Sequence, residues 1–289
     1  MCNNCGIVAT MGVTDDVLSE AYSTQYYGSG ERKFSGFFEY WLTLGYRLRA
    51  KRIRAEWRAG HPTDAGPSVL DIGCGRGTLL KEFKTLGAQI LGLERPEFPL
   101  TKECARFVSV GSLGEQRFDG VKFDIIIIWH VLEHMFEVDE MLKDIANHLS
   151  ETGLLVIAVP NFDSCQQRLF SRHWFHLDIP RHLTHLDQKW LGDCLNRHGL
   201  EEKFCSTFDV TQNTYGFVQS TLNMMFPKYP NALYRLLKHQ TGERHWMQLA
   251  AWSAAAALLF LPACIEALTS AFRGQGATLT MYAGYCLKE

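Results

Sequence analysis

Between Phe34 and Trp57, apolar residues recur at helical spacing with basic residues between them, which predicts one long helix. The stretch HPTDAGP, His61 to Pro67, breaks it. A different rhythm follows. Short apolar runs occupy Ser68–Ile72, Gln89–Leu93, Phe107–Val110 and Phe123–Ile128, and GLLVIAVP supplies a fifth. Helical stretches lie between them, one reaching about Leu86 and another running from about Val138 to Leu149. Continuous apolar runs alternating with helices predict parallel strands covered on both faces, a doubly wound α/β domain. Downstream, DQKWLGDCLNRHG reads as a helix closed by Gly199. It precedes a strand near Phe204–Val210, and Ala277–Cys286 reads as the last strand. The pattern divides the chain into a tail (1–30), a core (31–210), a helical insertion (211–276) and a final core strand (277–289).

The first strand leads into LDIGCGRGTLL, with glycines at Gly73, Gly75 and Gly77. A glycine-rich turn between a strand and a helix brings main-chain N–H groups close to a ligand. Thr78 stands where a dinucleotide-binding loop carries its last glycine. Asp71, inside the strand end, is awkward beside a pyrophosphate but suits a ligand bearing an ammonium and a sulfonium. Glu94 ends the next strand, 19 residues after Gly75. A carboxylate there accepts hydrogen bonds from ribose hydroxyls. These features disfavour a dinucleotide-dependent oxidoreductase.

VLDIGCGRGTLL, ILGLERP, FDIIIIWHVLEH and GLLVIAVPN, in this order over roughly residues 65–210, resemble the successive motifs of class I S-adenosylmethionine-dependent methyltransferases. HVLEH and PRHLTHLD resemble more narrowly the subgroup of ubiquinone-biosynthesis O-methyltransferases and related bacterial proteins. The resemblance implies a seven-stranded sheet with an antiparallel last strand and a helical insertion between the last two strands. It also implies S-adenosyl-L-methionine as cofactor. Asp71, Gly73, Gly75 and Gly77 would line the methionine end, Glu94 the ribose, Ser112 and Leu113 the adenine, and His130 the sulfonium side.

Methyl transfer to oxygen needs alignment and a base. WHVLEH spaces His130, Glu133 and His134 at i, i+3 and i+4, one face if the segment is helical. Three readings stand: a brace, a base with its orienting carboxylate, or metal ligands. His130 in place of an acid argues against magnesium, and no metal is assigned. In HWFHLDIPRHLTHLD, a loop, Arg181 is placed to hold an anionic acceptor, His182 to take its proton, and Trp174 and Phe175 to wall it. The alternative is that Arg181 and His182 tie the loop to the scaffold. The catalytic candidates are His134 and His182.

Composition narrows the picture further. The 289 residues are 46% hydrophobic and 21% charged, with a formal net charge of −2, so no global attraction to nucleic acid exists. The basic stretch Arg47–Arg58 reads as a helix face, with contact to an anionic surface as the alternative. Nine scattered cysteines and no secretory signal fit a reducing cytoplasm, with most thiols as small buried groups. Cys2 and Cys5 form half of a zinc ribbon or are two unpaired thiols. Trp246–Ile265 is uncharged over 20 residues. Placed between two strands of one sheet, it cannot make a single membrane crossing. A cap, a buried or dimer-forming helix, and a peripheral membrane contact through 246–272 all fit it. With Tyr215, Phe217 and Met224–Phe226 nearby, it favours an apolar acceptor. The expected function is methyl transfer to a hydroxyl of a small or lipid-like acceptor by a cytoplasmic, possible membrane-associated enzyme. The alternative is a non-catalytic S-adenosylmethionine-binding scaffold or sensor.

Overall fold

The structure, a computed structural model, describes residues 2, 6–22, 36–61, 66–237 and 246–286. Cys5, the first residues of the expected long helix and most of HPTDAGP lie outside the described residues. The strands are β1 (Val8–Ala9), β2 (Ser68–Ile72), β3 (Gln89–Glu94), β4 (Val108–Val110), β5 (Phe123–Trp129), β6 (Leu149–Pro160), β7 (Thr184–His185), β8 (Leu200–Ser206) and β9 (Thr278–Tyr285). The helices are α1 (Asp15–Ala21), α2 (Gly36–Ala59), α3 (Thr78–Thr85), α4 (Val138–His148), α5 (Cys165–Phe170), α6 (Gln188–Arg197), α7 (Val210–Met225), α8 (Ala232–Leu237) and α9 (Trp246–Phe272).

Seven strands form one sheet in the order β4-β3-β2-β5-β6-β9-β8, with the last strand antiparallel. The pairs β2–β3, β2–β5, β3–β4 and β5–β6 are parallel. This is the α/β architecture the apolar runs predict. The isoleucines of β5 show why the pattern is legible: Ile125, Ile126, Ile127 and Ile128 are all fully buried. Ile125 and Ile127 join a cluster with Ala50, Ile53 and Trp57 of α2 and Leu79, Leu80 and Phe83 of α3. By strand alternation, Ile126 and Ile128 project to the opposite, equally covered face.

The chain forms two compact units. One comprises residues 35–158, 189–205 and 281–289; the other comprises 1–34, 159–188 and 206–280. The helical insertion is therefore grouped with the N-terminal segment and with the segment after β6. In this second unit β1 pairs antiparallel with β7, Val8 opposite His185. The core of its helices is small: Val218, Leu222, Leu233 and Ala263, with Trp252, Ala255, Ala256 and Leu259 against them. Beside it runs a buried polar network. The Gln166 amide donates to the Asn213 carbonyl (2.8 Å) and to Glu266 Oε2 (2.7 Å), and Gln219 donates to Asn223 (2.9 Å).

Two expectations shift. The strand expected near Phe204–Val210 is β8 at Leu200–Ser206, because Gly199, at φ +75°, turns the chain straight from α6 into the strand. Asp209 then caps α7, its carboxylate accepting from the N–H groups of Thr211 and Gln212, so residue 210 is already helical. The eight described cysteines form no disulfide among the described residues, and of them only Cys104 and Cys194 are buried.

Ile127→Ala removes a fully buried side chain from the sheet face covered by α2 and α3 and is expected to cost about 2–5 kcal/mol of stability, read from urea unfolding.

Candidate active site

The site is built at the carboxyl ends of β2 and β3. Asp71 pairs across to Gly92, and Glu94 lies two residues beyond that register. Both side chains are almost fully withdrawn from water, 4% and 9% exposed. Burial, the neighbouring Glu94 and, in the opposite sense, Arg49 set the proton affinity of Asp71; the sum raises it from the ordinary 3.8 to about 8. Two carboxylates in low dielectric beside each other form a place for positive charge.

Between the strands runs the glycine turn. Gly73, Gly75 and Gly77 all have positive φ, at 71°, 55° and 65°. A side chain at Gly73 would start 2.3 Å from a Val131 methyl, and one at Gly77 would start 2.4 Å from the Phe107 ring. At Gly75 nothing lies within 4 Å. The open side of the turn is therefore at Gly75, where a side chain would fill the cradle. The Gly75 N–H donates to Glu94 Oε2 (2.6 Å) and the Arg95 N–H to Oε1 (3.0 Å). Each oxygen retains lone-pair capacity for a further donor, as two vicinal hydroxyls require. The first turn of α3 has no side-chain cap.

Ser112 is exposed at the end of β4, its N–H donating to Glu115 (2.8 Å), and Leu113 is buried. His130 follows β5 at φ +54°. The segment HVLEH is not an α-helix; only Leu132–His134 form a 3₁₀ turn. His130 lies outside that turn, yet its Nδ1 lies 3.1 Å from Glu133 Oε1. His130 Nε2 is buried without a hydrogen-bond partner. His134 is half-buried at the end of the turn.

Arg49 is a participant the sequence reading did not single out. Its guanidinium sits 3.6 Å over the Trp129 ring, and its charge bears on Asp71. The signal was present: Tyr46, Arg49, Ala50, Ile53 and Trp57 fall on one helical stripe, so an arginine shares the inward face.

In the other unit the loop candidates are mutually engaged. Arg181 clasps Asp178 with both arms of its fork, one of these bonds at 2.9 Å. His182 is buried, its Nδ1 2.8 Å from the His176 carbonyl. A carbonyl only accepts, so Nδ1 carries the proton and Nε2 faces Asp178 at 3.8 Å. Trp174 is buried, its ring against Phe162 and His176. Phe175 meets Tyr215 and Tyr234 edge-on at 5.3 and 5.6 Å. These rings pack on one another within the unit.

A methyltransferase domain family matches residues 40–202, more than half of the chain. The chain belongs to that family. Its cofactor is S-adenosylmethionine, whose cationic head and ribose hydroxyls fit a carboxylate pair beside an open glycine turn. Among curated relatives, the methyltransferase is 33% identical over 105 residues to the ubiquinone biosynthesis O-methyltransferase of Bartonella bacilliformis. That match covers 34% of this chain and 42% of the relative. It is 24% identical over 167 residues to the protein of the same name from Rhodopseudomonas palustris strain HaA2, covering 53% of this chain and 58% of the relative. The methyltransferase thus spans about half the length of the curated relatives it matches. Among solved structures, its fold is similar to a Galdieria sulphuraria protein named as a candidate sarcosine dimethylglycine methyltransferase, with TM-score 0.50 and 14% identity. That likeness covers 83% of this chain and 85% of the other.

Two outcomes follow from this geometry. Gly73→Ala forces a Cβ into Val131 at a positive φ and is expected to destabilise the protein by about 1–3 kcal/mol, measured by chemical denaturation. Asp71 holds a proton in the folded state at pH values where the unfolded chain has lost it. Its contribution to the stability of the ligand-free protein is therefore complete below the ordinary 3.8 and declines as pH rises toward about 8. Denaturation series across about pH 5 to 8 should show this decline, and Asp71→Asn should flatten it.

Proposed function

We propose that this methyltransferase moves the methyl group of S-adenosylmethionine to a hydroxyl of a small or lipid-like acceptor. The observation that carries the reading is the buried pair Asp71 and Glu94 flanking a turn open at Gly75. The curated relatives' shared name, ubiquinone biosynthesis O-methyltransferase, supports an oxygen acceptor with apolar character.

In this reading Asp71 answers the positive head of the donor, and the Gly73–Gly77 main chain lets it approach. Glu94 takes the two ribose hydroxyls while keeping its bonds to the Gly75 and Arg95 N–H groups. Ser112 and Leu113 border the adenine. The bound donor supplies a methyl group already activated by a positive sulfur. What remains for the chain is to align the acceptor oxygen and remove its proton.

His130 suits that task. Glu133 holds Nδ1, which fixes the ring and leaves Nε2 as the nitrogen that faces away from the pair. With the donor bound, its positive sulfur would release the methyl group to the acceptor oxygen, and His130 Nε2 would take the hydroxyl proton. His134 lies one residue past Glu133 and is a contact for the acceptor. His182, fixed through Nδ1, is assigned to holding the Asp178–Arg181 turn.

Donor binding and turnover separate these roles. Asp71→Asn should weaken S-adenosylmethionine binding roughly 10- to 100-fold in calorimetry. His130→Ala should leave that binding intact while lowering transfer of labelled methyl into a cell-extract acceptor by roughly 100-fold or more. His182→Ala should lower thermal stability. A folded His182→Ala protein that binds donor and fails to turn over would move the base to His182. Donor binding with no transfer to any extract component would leave a binding protein in place of an enzyme.

A further inference from the structure

Helix α9 is built inside out. Its inward stripe is Trp252, Ala255, Ala256, Leu259 and Ala263, packed on Val218 and Leu222 of α7. The same side holds Glu266, the helix's single charged residue, hydrogen-bonded to Gln166. Large apolar residues point the other way. Leu258 is 81% exposed, Leu261 69% and Phe272 95%, and Phe260, Ile265 and Leu268 are more than half exposed. Water-facing helices carry their charges outward and their leucines inward; here the one charge is inward and three of the leucines, Leu258, Leu261 and Leu268, are outward. The apolar surface continues beyond the helix. Phe226, at the end of α7, stacks edge-on against Trp252 at 5.1 Å, and Met224, Met225 and Tyr229 are exposed around it.

A contiguous apolar surface of this kind calls for a partner, and the surrounding charge says which. Over the described residues of 210–276, the charged residues are Lys228, Arg235, Glu266 and Arg273. Glu266 is turned inward and the three exposed charges are all positive, although the whole chain is net negative at −2. A second copy docking through the same face would set these cations against their own kind, with no outward acid among the described residues of 210–276 to pair them, since a two-fold contact must be self-complementary. An anionic lipid surface answers both features at once, taking up the leucines and phenylalanines and attracting the cations.

We propose that the outward face of α9, with the end of α7, docks in the plane of an anionic lipid bilayer. The segment Ala251–Phe272 is long and apolar enough to cross a membrane. Its inner face, however, is occupied by α7 and carries the Glu266–Gln166 bond. A crossing helix would have to give up both, whereas a helix lying in the interface keeps them. The inference does not depend on which acceptor is methylated or on donor binding, so its failure leaves the reading of the glycine turn untouched.

The test is flotation of the full chain with two kinds of vesicle, phosphatidylcholine alone and phosphatidylcholine mixed with phosphatidylserine. Expected is binding to the mixed vesicles, weaker binding to the neutral ones, and partial release by salt. The double substitution Leu258→Asp with Leu261→Asp should reduce binding at least about tenfold. Phe272→Glu, at the most exposed position, should reduce it as well. Circular dichroism and donor binding check that each variant is folded. Three results would overturn the proposal: no flotation of the wild-type chain, equal binding to both vesicle types, or undiminished binding by folded variants. So would a dimer in light scattering that the double substitution dissociates, which would give the face to a second copy.

Discussion

Two carboxylates placed side by side in low dielectric repel each other, and the chain keeps them there. Asp71 and Glu94 end adjacent parallel strands, where strand register forces their proximity. Hydrogen bonds from Gly75 and Arg95 hold Glu94, and the more buried Asp71 responds by holding its proton to about pH 8. Arg49, lodged over Trp129, offsets part of the repulsion. The arrangement is unfavourable for the ligand-free fold and favourable for a cation. In the proposed reading the pair is the site where the positive head of the donor would be held. The glycines complete it by keeping side chains out of the space in front of the pair.

Much of this was legible in the residues. The four isoleucines of β5 announce a strand covered on both faces, and the structure buries all four. Asp71, the three glycines and Glu94 are local in sequence or end consecutive strands, so their convergence follows from parallel pairing alone. Arg49 was harder to foresee, because its role depends on how α2 lies against the sheet. The same is true of Val131 and Phe107, whose side chains explain why Gly73 and Gly77 tolerate no Cβ. The 3₁₀ turn at Leu132–His134 was hidden for a different reason: i, i+3 spacing suits it as well as an α-helix.

In the loop and helical segments composition left alternatives open. Trp174, read as a wall for an acceptor, is buried beside Phe162. Arg181, read either as an anion holder or as a tie of the loop to the scaffold, pairs with Asp178 three residues away, a partner visible in the sequence. The alanine-rich stretch within α9 gave no periodicity from which to choose between a buried helix and a surface one. What decides it is the position of Glu266, which joins Gln166 inside and leaves the opposite face without a charge. The two units thus carry contrasting irregularities, a buried acid pair in one and an exposed apolar face in the other.

The account rests on Asp71 surrendering its proton when a cationic donor arrives. Titration calorimetry with S-adenosylmethionine at pH 7, repeated in buffers of different ionisation enthalpy, counts the protons exchanged on binding. The prediction is release of close to about one proton per donor bound, reduced toward zero in Asp71→Asn. Tight binding by the wild-type chain with no proton released, or with proton uptake, would contradict it.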